Sequence, residues 1–532
     1  MFHYFKKIVQ HLKAESLNQR REDPFAERPE FVLSSDIDQN LTKFREIFGA
    51  SNDIIIREIV FGQDPQVRGI IMFVDGLVDK KTINLSIIKP LMYDLRLIRS
   101  LGNDKVPMEQ IKTALLSVGE IKQTPLINKL VDDCLSGETF FIVDGLAEGF
   151  MISTRAWENR GVQEPQTESV VRGPREGFCE TLRINTSLLR RKIKNPNFIM
   201  ENVEIGKRTK TSICIAYLKD IADPVLIDEI KVRLGRINTD SILESGYIEQ
   251  FIEDAPYSIF PTVANSEKPD VIAAKILEGR AAILVDGTPF VLSVPMVFVE
   301  SFQTAEDYYI RHTLASLTRI MRYFSYLITT LTPALYIAIL TFHQEIIPIS
   351  LMFTLAASEE QLPLPVFFEL LTMMITFDIL REAGLRLPRL VGQAISIVGA
   401  LVMGEAAVAA GIVSDFTVIV IAITAVSSFV VAPQEGSATM LRYIYFLLAG
   451  FMGGIGITVG VIGTLIHLAS LRSFGTPYLS PLAPFAPCDQ KDVFIRAPWW
   501  SMGTRPRYMG VRDLRRQGHR LRPHKPQEEH LS

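Results

Sequence analysis

The chain has 532 residues, 48% of them hydrophobic and 22% charged, with a formal net charge of −3. That length exceeds what one hydrophobic core serves and implies two to four units, and the near-neutral balance gives no electrostatic reason to expect a nucleic-acid partner. The averages conceal a break: no lysine lies between Lys275 and Lys491, and from Met321 to Leu471 the only arginines are Arg322, Arg381, Arg386, Arg389 and Arg442, which excludes a wholly water-soluble protein.

The first 23 residues, MFHYFKKIVQHLKAESLNQRRED, hold no apolar run of secretory-signal length, so the first 300 residues are expected on the cytoplasmic side. Ile37, Leu41, Phe44 and Phe48 recur at helical spacing behind Ser34, Ser35 and Asp36, with Gly49 as the stop. Strands are expected at Ile54 to Val60 and Ile70 to Val74, then a helix from Thr82 to Ile98. Val-Asp-Gly occurs three times, at Asp75, Asp144 and Asp286. Asp-Gly tolerates positive φ and suits hairpin turns. Binding of a ligand or cation by these carboxylates would require the turns to converge.

The basic run Arg190, Arg191, Lys192 and Lys194 reads either as a solvated helix face or as a site for anionic lipid. Asp223-Pro224 opens one helix and Pro269-Asp270 another. Cys134, Cys179, Cys214 and Cys488 are isolated, and the histidines lack ligand spacing, so no disulfide framework, structural metal or cofactor is expected. None of the phosphate-loop, zinc-protease or serine-hydrolase motifs occurs, so no catalytic residue is assigned and the chain is read as not an enzyme.

Beyond Met321 the pattern is that of membrane spans, which need roughly 20 apolar residues each. Candidates are Arg322 to Phe342, Pro363 to Leu380, Leu390 to Val413, Phe416 to Ala432 and Tyr443 to Leu471, with Ile346 to Ala357 too short and read as re-entrant or interfacial. Arginines before the first span and after the second place those loops in the cytoplasm. Five crossings then put the C-terminal end outside, although residues 472–532 carry eleven Arg and Lys against five Asp and Glu. The glycines of the last segment, Gly450 to Gly463, are where that count is suspect: they either break it or let helices pack closely.

Glu369, Asp378 and Glu405 fall within expected spans, where charge is costly. Gln393, Ile397, Leu401 and Gly404 or Glu405 form a stripe that is polar at its ends and apolar in the middle, the order wanted by a dewetting gate. Ties between helices explain the same polar groups equally well. The fold class expected is an α/β cytoplasmic region of two subdomains followed by an all-α polytopic membrane domain. The division is 1–35 as a polar extension, 36–160 and 161–310 as α/β subdomains, 311–475 as the membrane domain and 476–532 as a basic tail.

Val170-Val171-Arg172-Gly173-Pro174-Arg175-Glu176-Gly177-Phe178, the stretch from Glu267 to Asp286, the loop Leu380 to Pro388 and Ser473-Phe474-Gly475-Thr476-Pro477-Tyr478 together resemble the A subunits of bacterial spore germination receptors, the GerA family, over about residues 50–500. The stretch from Glu180 to Asp223 also resembles a paralogous subgroup associated with dipicolinate-channel proteins. The resemblance implies a protein of the inner spore membrane that forms a homo-oligomer, a pentamer, around a nutrient-gated cation channel, with a transporter-like B subunit and a lipoprotein C subunit as partners. It puts the pore constriction at or beside Leu401. A secondary transporter using Glu369, Asp378 or Glu405 as a relay and a non-conducting scaffold are the competing functions.

Overall fold

The computed structural model describes residues 30–49, 51–61, 66–94, 121–156, 164–165, 167–168, 170–359, 362–386, 404–518 and 523. Its N-terminal region contains two five-stranded antiparallel sheets. The first is built from α1 (Ile37–Phe48), β1 (Ile54–Phe61), β2 (Val67–Val74), β3 (Ile121–Thr124), α2 (Ile127–Leu135), β4 (Thr139–Val143) and β5 (Gly149–Ile152), in the order β1-β2-β4-β5-β3. The second comprises α3 (Leu182–Lys192), β6 (Phe198–Ile205), β7 (Thr211–Leu218), α4 (Pro224–Arg236), α5 (Ser245–Ile252), β8 (Ala264–Ser266), α6 (Pro269–Leu277), β9 (Ala281–Val285) and β10 (Val291–Val294), in the order β6-β7-β9-β10-β8.

These orders are the same, and so is the register. Ile54 faces Val74 as Phe198 faces Leu218, Gly69 faces Val143 as Ile213 faces Val285, and Thr124 faces Gly149 as Ser266 faces Val291. The helices before each first hairpin correspond too. Buried Asn40 brackets the backbone of Ser34, accepting its N–H and donating to its carbonyl, and buried Asn185 does the same to Cys179. Asp144 accepts the N–H of Ile37 at the start of α1, and Asp286 that of Leu182 at the start of α3. The region is therefore one α/β unit used twice. The second and third Val-Asp-Gly turns are its equivalent β4-β5 and β9-β10 hairpins, whereas Asp75 ends β2 and joins no hairpin.

Local chemistry sets the elements. Asp36 caps α1 by accepting the N–H of Asp38, Gly49 closes it at φ 60°, and Asp223 caps α4 with Pro224 in its first turn. The expected helix from Thr82 takes another form: one α turn at Lys80–Thr82 widens into π turns at Ile83–Ile88 and Pro90–Asp94. Both faces of each sheet are covered. Ile70, Met72 and Phe140 pack under α1 and α2, while Ile71, Phe141 and Phe150 meet Ile83, Ile87 and Leu91. In the second unit Cys214, Ala216 and Leu284 lie under α3 and α6, together with Met509, Val511 and Leu514 from the C-terminal segment, and Ile213, Ile215 and Ile283 lie under α4 and α5.

On α5 an acidic group sits in an unfavourable place. Burial, with Glu253 and Glu244 nearby, pushes the Glu249 carboxyl up to about 7. A carboxyl raised in the folded state contributes its stability below the unfolded value and loses it as pH climbs toward 7. Glu249→Gln is therefore expected to raise the thermal midpoint of the detergent-solubilised full chain by a few degrees at pH 8, about 1 kcal/mol after solvent screening, and by clearly less at pH 5. Scanning fluorimetry at the two pH values checks it; an equal gain at both would show that charge is not the cause.

Candidate functional site

The helical region begins with α7 (His312–Phe342), followed by α8 (Ile349–Glu359), α9 (Val366–Arg386), a helical turn at 404–409, α10 (Asp415–Ser428) and α11 (Glu435–Ser470). The last segment, expected as a single span from Tyr443 to Leu471, is two helices. Gly453 has φ 59° and ψ −138°, which breaks α11 into arms 435–452 and 454–470. The Tyr445 hydroxyl donates to Thr464 Oγ1 at 2.8 Å, although 19 residues of straight helix would hold them about 28 Å apart. The arms are antiparallel. Gly460 lies against Tyr445 and Leu448, and Gly456 against the Leu448 carbonyl, so the glycines are packing points as well as the break, and the partner they pack on is their own segment.

This hairpin fixes the direction of every neighbour. Its two open ends sit on the α/β region, where Gln434 Nε2 donates to Ser301 Oγ at 2.7 Å and Ser258 Oγ is hydrogen-bonded to His467 Nε2 at 2.9 Å. Its tip meets the far end of α7: Phe342 packs on Gly453, and the Gly454 N–H donates to His343 Nε2. Helix α9 starts at that far end with Phe367 over Gly450 and returns, pairing Arg381 with Glu435. Residues 343–365, including α8, therefore begin and finish at the same far end. Helix α10 also returns, from Ser414 beside Glu369 to Phe429 under the Arg381 guanidinium. Residues 476–518 fold back onto the second α/β unit, where the Arg512 N–H donates to the Ile221 carbonyl.

Two polar ties lie inside the helical region. Asp378 accepts from Arg442 Nη2 at 2.7 and 2.8 Å and from the Tyr443 hydroxyl at 2.6 Å, joining α9 to the first arm. Glu369, 1% exposed, accepts the Ser414 N–H at 2.5 Å beside the N-terminus of α10. Gly404 lies against Val418 of α10, and Glu405 is exposed on the turn 404–409. Gln393, Ile397 and Leu401 lie outside the described residues, so the stripe is represented here by its last two members.

Where the two regions join, charge is buried. Asp307, fully inaccessible, takes the guanidinium groups of Arg319 at 3.0 Å and Arg322 at 2.8 Å, and Arg319 also reaches Asp492 at 2.8 Å. Asp492 accepts the Tyr308 hydroxyl at 2.8 Å, and burial pushes that phenol well above its usual range. A second cluster lies beneath it: Glu300 pairs with Arg280 and Lys275, and burial holds the Lys275 ammonium below its normal value. The first turns of α7, the C-terminal segment and the second sheet are thereby tied together. In the sequence Arg319 and Arg322 show only as arginines before the first expected span, and Asp307 and Asp492 carry no local signal.

Two other motifs are absorbed by structure. Arg190 is buried, bridging Asp53 of the first unit at 2.7 Å, and Arg191 and Lys192 both pair with Glu176, which leaves Lys194 as the exposed member of the basic run. Asp75 and Asp286 line one groove between the units, while Asp144 lies elsewhere, in the β4-β5 turn against the start of α1, but Asp75 pairs with Lys80 and Arg183 and Asp286 holds the Leu182 N–H. Among the described residues no His, Cys, Asp and Glu group is arranged to hold a metal.

Residues 42–508 match the family described as Bacillus/Clostridium GerA spore germination protein. The chain belongs to the GerA family. Its relatives include spore germination protein KA of Bacillus subtilis (strain 168), 45% identical over 499 residues that cover 93% of this chain and 91% of that one. Spore germination protein GerLA of Bacillus cereus is 37% identical, covering 90% and 97%, and the uncharacterized membrane protein YfkQ of B. subtilis (strain 168) 40% identical, covering 89% and 91%. Among solved structures, the N-terminal domain of the A subunit of the Bacillus megaterium spore germinant receptor GerK3 is 35% identical, with a TM-score of 0.41, covering 51% of this chain and 99% of that one. The GerA-family chain thus pairs a duplicated α/β region with a region of apolar helices; among the described residues α7 is long and apolar enough to cross a membrane, and so is the length of α11 before its break at Gly453 is counted, which associates the chain with membranes.

Proposed function

We propose that this GerA-family protein is the A subunit of a spore germinant receptor, held in the inner spore membrane with its α/β region in the cytoplasm, where it assembles with B and C subunits. The observation that carries the orientation is the division of charge between the two ends of the helical region. The α/β end holds Arg311, Arg319, Arg322, Arg381, Arg386 and Arg472, whereas the described segments 343–359, 362–365 and 404–415 at the far end contain Glu345, Glu359, Glu405 and Asp415 and no Lys or Arg. Basic loops stay on the cytoplasmic side. With the hairpin counted as two crossings, α7, α9, the segment containing 390–413, α10 and the two arms make six, which returns the basic C-terminal segment to the cytoplasm and removes the conflict that five crossings create.

In this reading several copies, five in the ring implied by the family resemblance, surround a cation path lined by the segment containing Gln393, Ile397, Leu401, Gly404 and Glu405. Leu401 and Ile397 form the apolar gate, and Gln393 and Glu405 the polar mouths. The hydrogen-bonded state of Asp378 and Glu369 supports this over a proton relay, since both acids already tie helices together. Nutrient capture in a partner subunit then shifts the closed ring toward an open one. Leu401→Ala is expected to raise ion release from unstimulated spores roughly tenfold, the effect of about 1.4 kcal/mol on the gate. Unchanged leak together with unchanged nutrient triggering would remove Leu401 from the gate.

A further inference from the structure

The α/β end of the helical region carries aromatic and aliphatic side chains that remain well exposed among the described residues. Phe494 and Ile495 are 44% and 62% exposed, and Trp499 and Trp500 are 42% and 41% exposed. They lie along the start of α7. The Arg496 N–H donates to Ser316 Oγ, Phe494 packs on Tyr323 at 5.0 Å between ring centroids, and Trp499 Nε1 donates to the Tyr308 carbonyl. Ser316 and Tyr323 are about 10 Å apart along a helix, so the segment is graded, Phe494 reaching toward the apolar helices and Trp499 staying near the α/β region. The exposed side chains of α7 continue the surface: Leu314, Leu317, Met321 and Phe324 are each more than half exposed.

The feature recurs at the other arm of the junction. Tyr257, completely exposed, precedes the Ser258 that is bonded to His467 in the last turn of α11, and exposed Arg472 follows that helix. The Trp499 ring carries Arg496 and Arg516 at 5.2 and 5.4 Å, which leaves a flat amphipathic plate with cations behind it. Trp and Tyr with Arg close by in the chain, at the α/β ends of two different helices, is the composition of a bilayer boundary, where rings lie among headgroups and guanidinium groups reach phosphates.

We propose that Phe494, Ile495, Trp499, Trp500 and Tyr257 form a collar seated in the headgroup layer of the cytoplasmic leaflet, with Arg472 on lipid phosphate. The collar fixes how deep α7 and α11 sit, and so the height at which the buried Asp307 cluster stands above the membrane. This rests on the membrane reading above.

The chain has three tryptophans, Trp157, Trp499 and Trp500, so Trp157→Phe leaves the collar as the sole indole source. The full chain is placed in nanodiscs of phosphatidylglycerol and phosphatidylcholine brominated either high on the acyl chain or near its end. The shallow bromines are expected to lower emission roughly twofold or more and the deep ones clearly less, as for rings 5–10 Å into the boundary, about where interfacial groups sit. If the Trp157 substitution impairs folding, Trp499→Phe with Trp500→Phe in the otherwise unaltered chain should abolish the lipid-quenchable fraction. Emission indifferent to bromine overturns the collar, whether acrylamide quenches it, which means water, or does not, which means a second protein copy covers it. A bimane on Leu335→Cys in a Cys488→Ser background separates the two ideas: its quenching by deep bromines keeps α7 in the membrane whatever the indoles report, and its failure removes both.

Discussion

Asp307→Ala is expected to lower the stability of the full chain by about 3–5 kcal/mol, the usual cost of stranding a buried charge. Asp307 is fully inaccessible and answers two guanidinium groups, Arg319 on one carboxylate oxygen and Arg322 on both. Without it Arg319, also fully inaccessible, keeps Asp492, but Arg322 keeps only the Phe302 carbonyl and the Thr304 hydroxyl. The loss should appear as a lower aggregation temperature of the solubilised protein and, because this cluster ties α7 to the C-terminal segment and to the turn at Phe302–Thr304, on the proposed receptor function as spores that fail to respond to nutrient while still making the protein. The proper control is Arg45→Ala. Arg45 meets Glu58 at 3.9 Å with both side chains about half exposed or more, and such pairs contribute less than about 1 kcal/mol. A loss of equal size at both positions would mean that the buried cluster is held by its surroundings and not by its charges.

The same cluster shows what a sequence reveals and what it hides. Helix α1 with its Asp36 cap, the strands around Ile54 and Ile70, and the Pro-led helices α4 and α6 are all visible in the chain because caps, glycine stops and apolar spacing are local signals. The duplication is not visible. Its evidence is register and a pair of bracketing asparagines, Asn40 and Asn185, set in otherwise dissimilar residues, and only Val-Asp-Gly at Asp144 and Asp286 survives as a written trace. Asp307 and Asp492 are equally silent: they lie 12 and 173 residues from Arg319, the partner they share, and a carboxylate in a polar stretch looks solvated until the fold closes on it.

In the helical region hydropathy located the apolar segments but read the last of them as one helix, because a window average cannot see a reversal made by one glycine. Gly453 sits inside a run with no polar residue from Leu447 to Ile457, so neither charge nor turn chemistry announces the tip. The one available hint was indirect. A tail of eleven basic residues on the wrong side of five spans demands an extra crossing, and the glycine-rich segment is the place where a crossing can be added. Structure and charge count then agree on both ends of α11 meeting the α/β region.

That agreement makes Gly456 the most sensitive glycine of the hairpin. A Cβ there overlaps the Leu448 carbonyl of the facing arm, a backbone atom that cannot turn aside, whereas a Cβ at Gly463 meets nothing within 4 Å. Gly456→Ala should therefore force the arms apart and cost at least about 3 kcal/mol, the top of the range for overpacking that side chains alone relieve. Gly463→Ala, in the same arm, should be neutral or stabilising by up to about 1 kcal/mol through helix propensity. A geometric readout separates lost packing from general damage: with Cys488→Ser, cysteines replacing Tyr445 and Thr464 should be joined by a short bismaleimide, since those side chains touch across the hairpin and the three remaining native thiols are buried. Gly456→Ala should remove that cross-link and Gly463→Ala should leave it. If both variants cross-link equally, α11 tolerates separation of its arms at Gly456, and close approach of the backbones is not what holds the hairpin shut.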